Sequence, residues 1–287
     1  MRPKPDGGTA REFPPWLKIR LRGGQGDCAT RSRLGGLATV CEEAACPNIA
    51  ECWAHGHATI MILGRGCTRH CRFCNVSGAS PTPPDPDEPS RVAAAIAGSP
   101  LSEVVITSVT RDDLADGGAA HWAETVRAIR SARPDVSIEA LVPDFQGDRD
   151  ALATVIAAHP DILGHTIATV PRLYPAARPE AGYERSLKVL QAASSMGART
   201  KSAMMLGLGE TDEEIRQVLR DLRASGVGSL VLGQYLRPSP SHLPVVEFVH
   251  PDRFEEYGRL ALSLGFEDVV ATPLARSSYR LMRREAP

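Results

Sequence analysis

The alternation of short β-type runs with helical patterns constrains the fold of this 287-residue chain more than any other feature. Six runs of β-branched and apolar residues recur at intervals that leave room for a helix between successive runs. They are TIMIL (59–63), EVVITS (103–108), VSIEAL (136–141), DILGHTI (161–167), RTKSAMML (199–206) and SLVLGQY (229–235). Strands that alternate with helices in this way form a parallel sheet covered by those helices.

The segments between the runs carry clear helix signals. Thr211 and Glu214 have the spacing of a capping box, and apolar residues then repeat at the i, i+3, i+4, i+7 positions of an amphipathic helix. Similar helical patterns begin near Tyr183 and Asp252. Six β/α units are too few for a closed eight-stranded barrel. The sequence therefore predicts an α/β fold, a partial (β/α)6 barrel of TIM type, with a doubly wound sheet as the alternative.

The regions on either side of the repeat have a different character. Residues 57–235 hold the six units, whereas residues 1–56 and 236–287 are punctuated by proline and glycine. We expect these two regions to be extensions that fold onto the barrel and cover its open end.

Composition excludes several classes of partner. The formal net charge is −1, so nothing in the chain is basic enough to follow a nucleic-acid backbone. No run of 18 apolar residues occurs, and the N-terminus MRPKPDGGTAREFPPW does not resemble a signal peptide. We therefore expect a cytoplasmic protein without a membrane partner, in which clustered cysteines bind metal or do chemistry rather than form disulfides.

Three of the seven cysteines lie together in ILGRGCTRHCRFCNV (62–76), directly after the first predicted strand. Cys67, Cys71 and Cys74 have gaps of three and then two residues. Three thiolates on one loop can hold three corners of a [4Fe–4S] cluster and leave the fourth iron open to a ligand. A zinc site that also uses His70 and a set of unligated core cysteines are the alternatives.

A second triplet lies upstream, in TVCEEAACPNIAECW (39–53), with gaps of four and then five residues. Cys41, Cys46 and Cys52 again lack a nearby fourth cysteine. They predict either a second cluster or a structural metal site that staples the N-terminal extension. Cys28 lies in the polar, glycine-rich stretch GGQGDCATRS, which predicts a surface loop and no role in metal binding.

The C-x3-C-x2-C spacing, with the aromatic Phe73 before its last cysteine, resembles the signature of the radical S-adenosylmethionine (SAM) superfamily. The resemblance implies that the open iron is chelated by the amino and carboxylate groups of SAM. One electron then cleaves SAM to methionine and a 5′-deoxyadenosyl radical, which abstracts hydrogen from an unactivated carbon. It also implies adenine contact at Phe73 and ribose contact by MLGLGE (205–210), with Gly207 and Glu210 as candidates, although a plain strand-to-helix turn is the alternative there.

The two triplets together, with the wording C-E-E-A-x-C-P-N-I-x-E-C-W, resemble the lipoyl synthase family. Further stretches agree with it, among them PDFQGD (143–148), TVPRLY (169–174), TKSAMMLGLGETDEE (200–214), GQYLRPSPSHLPV (233–245) and RSSY (276–279). The resemblance implies a sulfurtransferase in which the upstream triplet and Ser278, with Ser277 as the alternative, hold a second [4Fe–4S] cluster. The sulfides of that cluster are inserted at C6 and C8 of an octanoyl chain carried on a lysine.

The resemblance also implies partners. These are an octanoylated lipoyl-carrier domain or the glycine cleavage H protein, an electron donor such as ferredoxin or flavodoxin, and an iron–sulfur carrier; we expect a monomer. Three charged residues have open roles: Asp112 and Asp113 would face the site or be solvated, and Arg276 would hold a carboxylate or cover the cluster.

One stretch departs from the pattern of the family. Where the family commonly reads N-H-N-x-E-T-V-P, this chain reads GHTIATVP, so that Gly164, Thr166 and Ala168 replace two amides and a carboxylate while His165 is kept. This departure leaves room for a related enzyme that inserts sulfur into a different substrate. A non-catalytic, metal-stapled binding protein is the third hypothesis.

Overall fold

Seven parallel strands form one sheet in the computed structural model, which describes residues 13–18, 25–76 and 79–279. Each strand pairs with its neighbour in the sequence, so the order across the sheet is β1 to β7. Their bounds are β1 His57–Ile62, β2 Glu103–Ser108, β3 Ser137–Leu141, β4 Ile162–Gly164, β5 Thr200–Leu206, β6 Ser229–Gln234 and β7 Asp268–Ala271. Within these residues β7 does not pair with β1, so the barrel stays open.

The predicted α/β class and partial barrel are confirmed, and the doubly wound alternative is wrong because a doubly wound sheet reverses its strand order. All six predicted strands are present. The prediction missed β7, which lies in the region taken for a C-terminal extension. Its four residues are too few, and too weakly apolar at its first position, Asp268, to produce a strand signal. The division into three segments at residues 56 and 235 stays a prediction.

Helices cover the outside of the sheet. Their bounds are α1 Gln25–Leu34, α2 Val40–Glu43, α3 Ile49–Ala54, α4 Glu88–Ala97, α5 Ala119–Ala132, α6 Arg149–Ile156, α7 Tyr174–Ala177, α8 Tyr183–Ser195, α9 Asp212–Ala224 and α10 Pro251–Ser263. The capping box of Thr211 and Glu214 is formed at the start of α9. The predicted helix at Asp252 begins one residue earlier, at Pro251, and His250 caps it.

The two faces of the sheet bury different residues. Outward-facing residues such as Ile60, Ile106 and Ile138 pack against the covering helices, and Trp122 of α5 is fully buried among them. On the inner face, small residues such as Ala203 and Val231 pack together. The main hydrophobic core therefore lies between the sheet and the helices that cover it.

The N-terminal helices lie against the first strand. Thr39 forms an antiparallel bridge with Ile60, and the Met61 amide donates to the carbonyl of Ala38. Residue 28 belongs to helix α1, so the predicted surface loop around Cys28 is wrong, and the side chain of Cys28 lies outside the described structure. No helix in the described part of the chain is long and apolar enough to cross a membrane.

Candidate functional site

The first cysteine triplet follows the C-terminal end of β1, where parallel barrels place their functional loops. Leu63 and Gly64 have positive φ angles and turn the chain out of the strand. The pKa of Cys71 is raised to about 11, mainly by burial, with smaller contributions from the neighbouring thiols of Cys74 and Cys67. The three thiols are thus close enough to interact electrostatically, as ligands of one cluster must be.

Two residues between the cysteines fasten this loop to the ends of neighbouring strands. Thr68 donates its amide and its hydroxyl to the carbonyl of Thr110, each at 3.0 Å. Arg69 is 6% exposed and donates to both carboxylate oxygens of Asp112 and to Asp144 at 2.6 Å. Burial tends to raise the pKa of Asp144, but the Arg69 hydrogen bond outweighs it and holds that pKa below its usual range. Asp112 is therefore an anchor for the loop rather than a solvated charge.

The other charged residues of this region have local partners. Asp113 pairs with Arg111 at 2.8 Å. His70 Nδ1 lies 3.1 Å from a carboxylate oxygen of Glu180. Both pairs hold neighbouring parts of the loop region in place, and the side chain of His70 is 72% exposed.

The positively charged side chain of Arg178 lies beside the first triplet. One guanidinium nitrogen donates to the carbonyl of Thr166 at 2.8 Å, while Nε is buried without a hydrogen-bond partner among the described residues. Burial raises the pKa of the thiols of Cys71 and Cys74, and the positive charge of Arg178 opposes that rise. A buried donor without a partner, next to cluster ligands, fits an anionic group brought by a cofactor.

The predicted ribose segment forms a tight turn after β5. Gly207 has φ +106°, and a Cβ there would overlap the side chain of Gln234 and the carbonyl of Glu247. The Glu210 carboxylate accepts from the amides of Gly207 and Leu208, at 2.9 and 3.0 Å, and from the hydroxyl of Thr169. Glu210 thus shapes the turn, and the SAM contacts of Phe73, Gly207 and Glu210 stay predictions.

The second triplet lines one cavity together with the C-terminal segment. Cys41 lies in α2, Cys46 follows that helix and Cys52 lies in α3. The same cavity is lined by Arg276, Ser278 and Tyr279. The pKa of Cys52 is raised to about 12, mainly by burial, with contributions from the neighbouring thiols of Cys46 and Cys41. Ser278 thus lies where the predicted fourth ligand is needed, and its ligation stays a prediction.

The two triplets lie at opposite ends of the barrel. The cavity of the second triplet is also lined by the first residues of three strands, namely His57, Glu103 and Ser137. The first triplet follows the last residue of β1 instead. The barrel therefore carries one thiol site at each end.

The donor sets fit iron–sulfur clusters better than single ions. Each set offers soft thiol ligands, and each thiolate of a [4Fe–4S] cluster binds a different iron. Within residues 13–18, 25–76 and 79–279, no three side chains of His, Cys, Asp or Glu converge on one ion position, as zinc would require.

Comparison with known proteins agrees with this geometry. The model of the radical SAM superfamily matches residues 61–222, so by class the chain is a radical SAM protein. A lipoyl synthase of Caldicellulosiruptor saccharolyticus is 49% identical over 270 residues, 93% of this chain and 95% of the relative. A lipoyl synthase of Thermus thermophilus is 52% identical over 288 residues, 98% of this chain and 88% of the relative. The chain belongs to the lipoyl synthase family, which rules against the non-catalytic hypothesis.

Solved structures share the fold at low sequence identity. Methylornithine synthase (PylB) matches with a TM-score of 0.56 and 14% identity, covering 90% of this chain and 87% of its own. HydG, a maturase of the [FeFe]-hydrogenase, matches with a TM-score of 0.58 and 10% identity, covering 75% of this chain and 56% of its own. These matches support the partial barrel alone.

In the stretch that departs from the family pattern, His165 and Gly164 are both closely packed. His165 is 2% exposed, and its ring nitrogens lie 2.9 Å from the carbonyl of Val142 and 3.0 Å from the hydroxyl of Ser186. Burial, with a contribution from Arg178, lowers the pKa of His165 to about 4, and the two hydrogen bonds hold its ring in place. Gly164 is packed tightly, because an added Cβ would lie 2.9 Å from Leu141 and 3.0 Å from a carboxylate oxygen of Glu139.

Sequence reasoning missed Asn48, Arg178 and the pair of Glu139 and Lys201. Lys201 donates to Glu139 at 2.7 Å across the inner wall of the barrel, and both side chains are at most 6% exposed. In the motif CPNIAEC, the position of Asn48 is typical of an ordinary helix cap, so the sequence does not indicate a contact with a distant segment. Arg178 stands in YPAARPE without any spacing that ties it to a cysteine.

Proposed function

We propose that this chain is a lipoyl synthase that inserts two sulfur atoms at C6 and C8 of a protein-bound N6-octanoyl-lysine. The observation that carries the proposal is the placement of two cysteine triplets at opposite ends of one barrel, with Ser278 beside the second. When bound, the cluster at the first triplet supplies the electron that cleaves SAM, and the cluster at the second supplies the sulfur.

Different residues would bind the cofactors at the two ends of the barrel. Cys67, Cys71 and Cys74 hold one cluster on an anchored loop. Arg178 would bind the carboxylate of SAM through its unpartnered Nε, and the turn at Gly207 would lie near the ribose.

At the other end, Cys41, Cys46 and Cys52 hold the sulfur source, and Ser278 completes its ligand set. A serine oxygen is a hard ligand for a soft-sulfur cluster, so Ser278 would be the ligand that dissociates most readily.

The decisive experiment is mass spectrometry of an octanoyl-lysyl peptide after anaerobic turnover with SAM and a reductant. We expect a mono-thiolated and then a dithiolated peptide, together with 5′-deoxyadenosine. Formation of 5′-deoxyadenosine without any thiolated peptide would contradict the assignment of the substrate. A decanoyl-lysyl peptide serves as the matched control for chain length.

Replacement of Arg178 by methionine tests its role in SAM binding. A charged hydrogen bond to a carboxylate contributes about 1.5–3 kcal/mol, so we expect the Kd for SAM to rise roughly 10- to 100-fold. Equilibrium binding to the reconstituted protein measures this change. Arg220, which is exposed and pairs with Glu213, provides the control variant Arg220→Met. A change of less than about twofold for Arg178→Met would rule out the contact.

The proposal extends to partners and location. The octanoyl chain is delivered by a lipoyl-carrier domain or by the glycine cleavage H protein, ferredoxin or flavodoxin supplies electrons, and an iron–sulfur carrier rebuilds the second cluster. The enzyme acts as a monomer in the cytoplasm.

A related substrate is the second candidate, and the GHTIATVP stretch favours it. The two amides and the carboxylate of the family pattern are absent at Gly164, Thr166 and Ala168, although Leu141 and Glu139 fill the space beside Gly164. A panel of peptides with acyl chains of different length and branching, assayed by the same mass spectrometry, distinguishes the two candidates. Faster thiolation of another acyl group than of octanoyl would favour the second.

A further inference from the structure

The second cluster site is split between chain ends more than 200 residues apart, and one side chain joins them. The amide Nδ2 of Asn48 donates to the carbonyl of Leu274 at 2.7 Å. Asn48 stands two residues after Cys46, and Leu274 stands four residues before Ser278. Asn48 is 6% exposed, so water competes little for this bond.

The backbone of Asn48 also forms a hydrogen bond with the triplet. Its carbonyl accepts from the amide of Cys52 at 2.9 Å. A single residue therefore hydrogen-bonds both to Cys52 of the triplet and to the segment that carries the serine. Any displacement of this residue moves both halves of the ligand set relative to each other.

The direction of the Asn48 side chain is unusual for its position. Asn48 is the N-cap of helix α3, where an asparagine side chain normally accepts from the amides of the first turn. Here it makes no capping hydrogen bond. The side chain does not stabilise the start of α3 and instead donates to the carbonyl of Leu274. This indicates that it joins the triplet to the segment that carries the serine.

The serine-bearing segment has few other attachments near its end. Its start is fixed to β6, where Thr272 donates to Leu232 and the Gln234 amide donates to Pro273. Beyond Leu274, the described hydrogen bonds to the N-terminal helices reduce to a 3.5 Å contact between Tyr279 and Glu51. The bond from Asn48 is thus the strongest polar link between this segment and the triplet in the described structure.

We propose that Asn48 is a positioning residue for the second cluster: it fastens the 272–279 segment to the triplet and so holds Ser278 at the fourth corner. This inference rests on the proposed function. Because the cluster is consumed in each turnover, the same bond sets how readily the segment opens when the cluster must be rebuilt.

Asn48→Ala and the isosteric Asn48→Asp both remove the donor to Leu274. We expect reconstituted variants to keep the first cluster and to hold a three-iron form of the second, with about seven irons per chain instead of about eight. Electron paramagnetic resonance should then show a [3Fe–4S] signal that the unaltered enzyme lacks. In the full chain before reconstitution, hydrogen exchange of amides 274–279 should be about tenfold faster.

Thr30→Val is the matched control. Thr30 is buried and donates to the carbonyl of Trp53, so it ties the same helix α3 to α1 without touching the serine-bearing segment. We expect about eight irons, no three-iron signal and unaltered exchange at 274–279 in this variant. Both Asn48 variants with the iron content, signal and exchange of the unaltered enzyme would overturn the inference. An unaltered enzyme that saturates at about four irons would instead overturn the proposed function.

Discussion

Replacing Cys46 by alanine should leave a protein that cleaves SAM and transfers no sulfur. Cys46 belongs to the triplet at the N-terminal ends of the strands, whereas the loop that holds the first cluster stands at the opposite end. We expect the iron content to fall from about eight to about four per chain. Production of 5′-deoxyadenosine should continue with reductant, while thiolated peptide falls below detection, a loss of at least about 10³-fold. Iron analysis and mass spectrometry of the same reaction measure both effects.

The reciprocal variant, Cys71→Ala, should abolish both products, because a chain without the first cluster cannot cleave SAM. Its iron content should also fall to about four per chain. Loss of 5′-deoxyadenosine in Cys46→Ala, at full occupancy of the first site, would contradict the separation of roles between the two ends.

The two adjacent serines provide an internal control. Ser278 lines the cavity of the second triplet and Ser277 is not part of its lining. Ser278→Ala should therefore lose sulfur transfer, and Ser277→Ala should retain most of it. The opposite pattern would move the ligand assignment to Ser277.

The parts of this molecule that depend on local pattern could be predicted from the sequence. The strands and the capping box of Thr211 follow from periodicities that span fewer than ten residues. The cysteine triplets follow from spacing within one loop or one short helical segment. In each case the residues that make the feature are neighbours in the chain, so their geometry is determined locally.

The contacts that join distant segments could not be predicted in this way. The partner of Asn48 is 226 residues away, and Lys201 reaches Glu139 across 62 residues. Which residue faces which across a barrel depends on the register of strands β3 to β5 and on the path of the chain after β7. A single residue of register shift would turn Lys201 to the outer face.

Replacing Lys201 by methionine should be among the most destabilising single changes in the barrel wall. Lys201 and Glu139 form an ion pair at 2.7 Å with side chains 5% and 6% exposed, and the other Glu139 oxygen is buried without a hydrogen-bond partner in the described structure. Loss of the ammonium group leaves an uncompensated buried carboxylate, which costs about 3–5 kcal/mol. Thermal unfolding of the anaerobic protein should show a midpoint lower by roughly 6–15 °C.

The double variant Glu139→Leu/Lys201→Met tests whether the instability of Lys201→Met comes from the unpaired buried charge of Glu139 or from the loss of the polar pair itself. Two apolar side chains of similar volume remove both charges, and such replacements of a buried pair are often neutral or stabilising. We therefore expect the double variant to unfold within about 3 °C of the unaltered protein, well above Lys201→Met. The exposed pair of Arg220 and Glu213 is the control, since Arg220→Met should shift the midpoint by less than about 2 °C. A double variant as unstable as the single one would show that the polar pair itself, and not the unpaired charge, stabilises the wall between the two cluster sites.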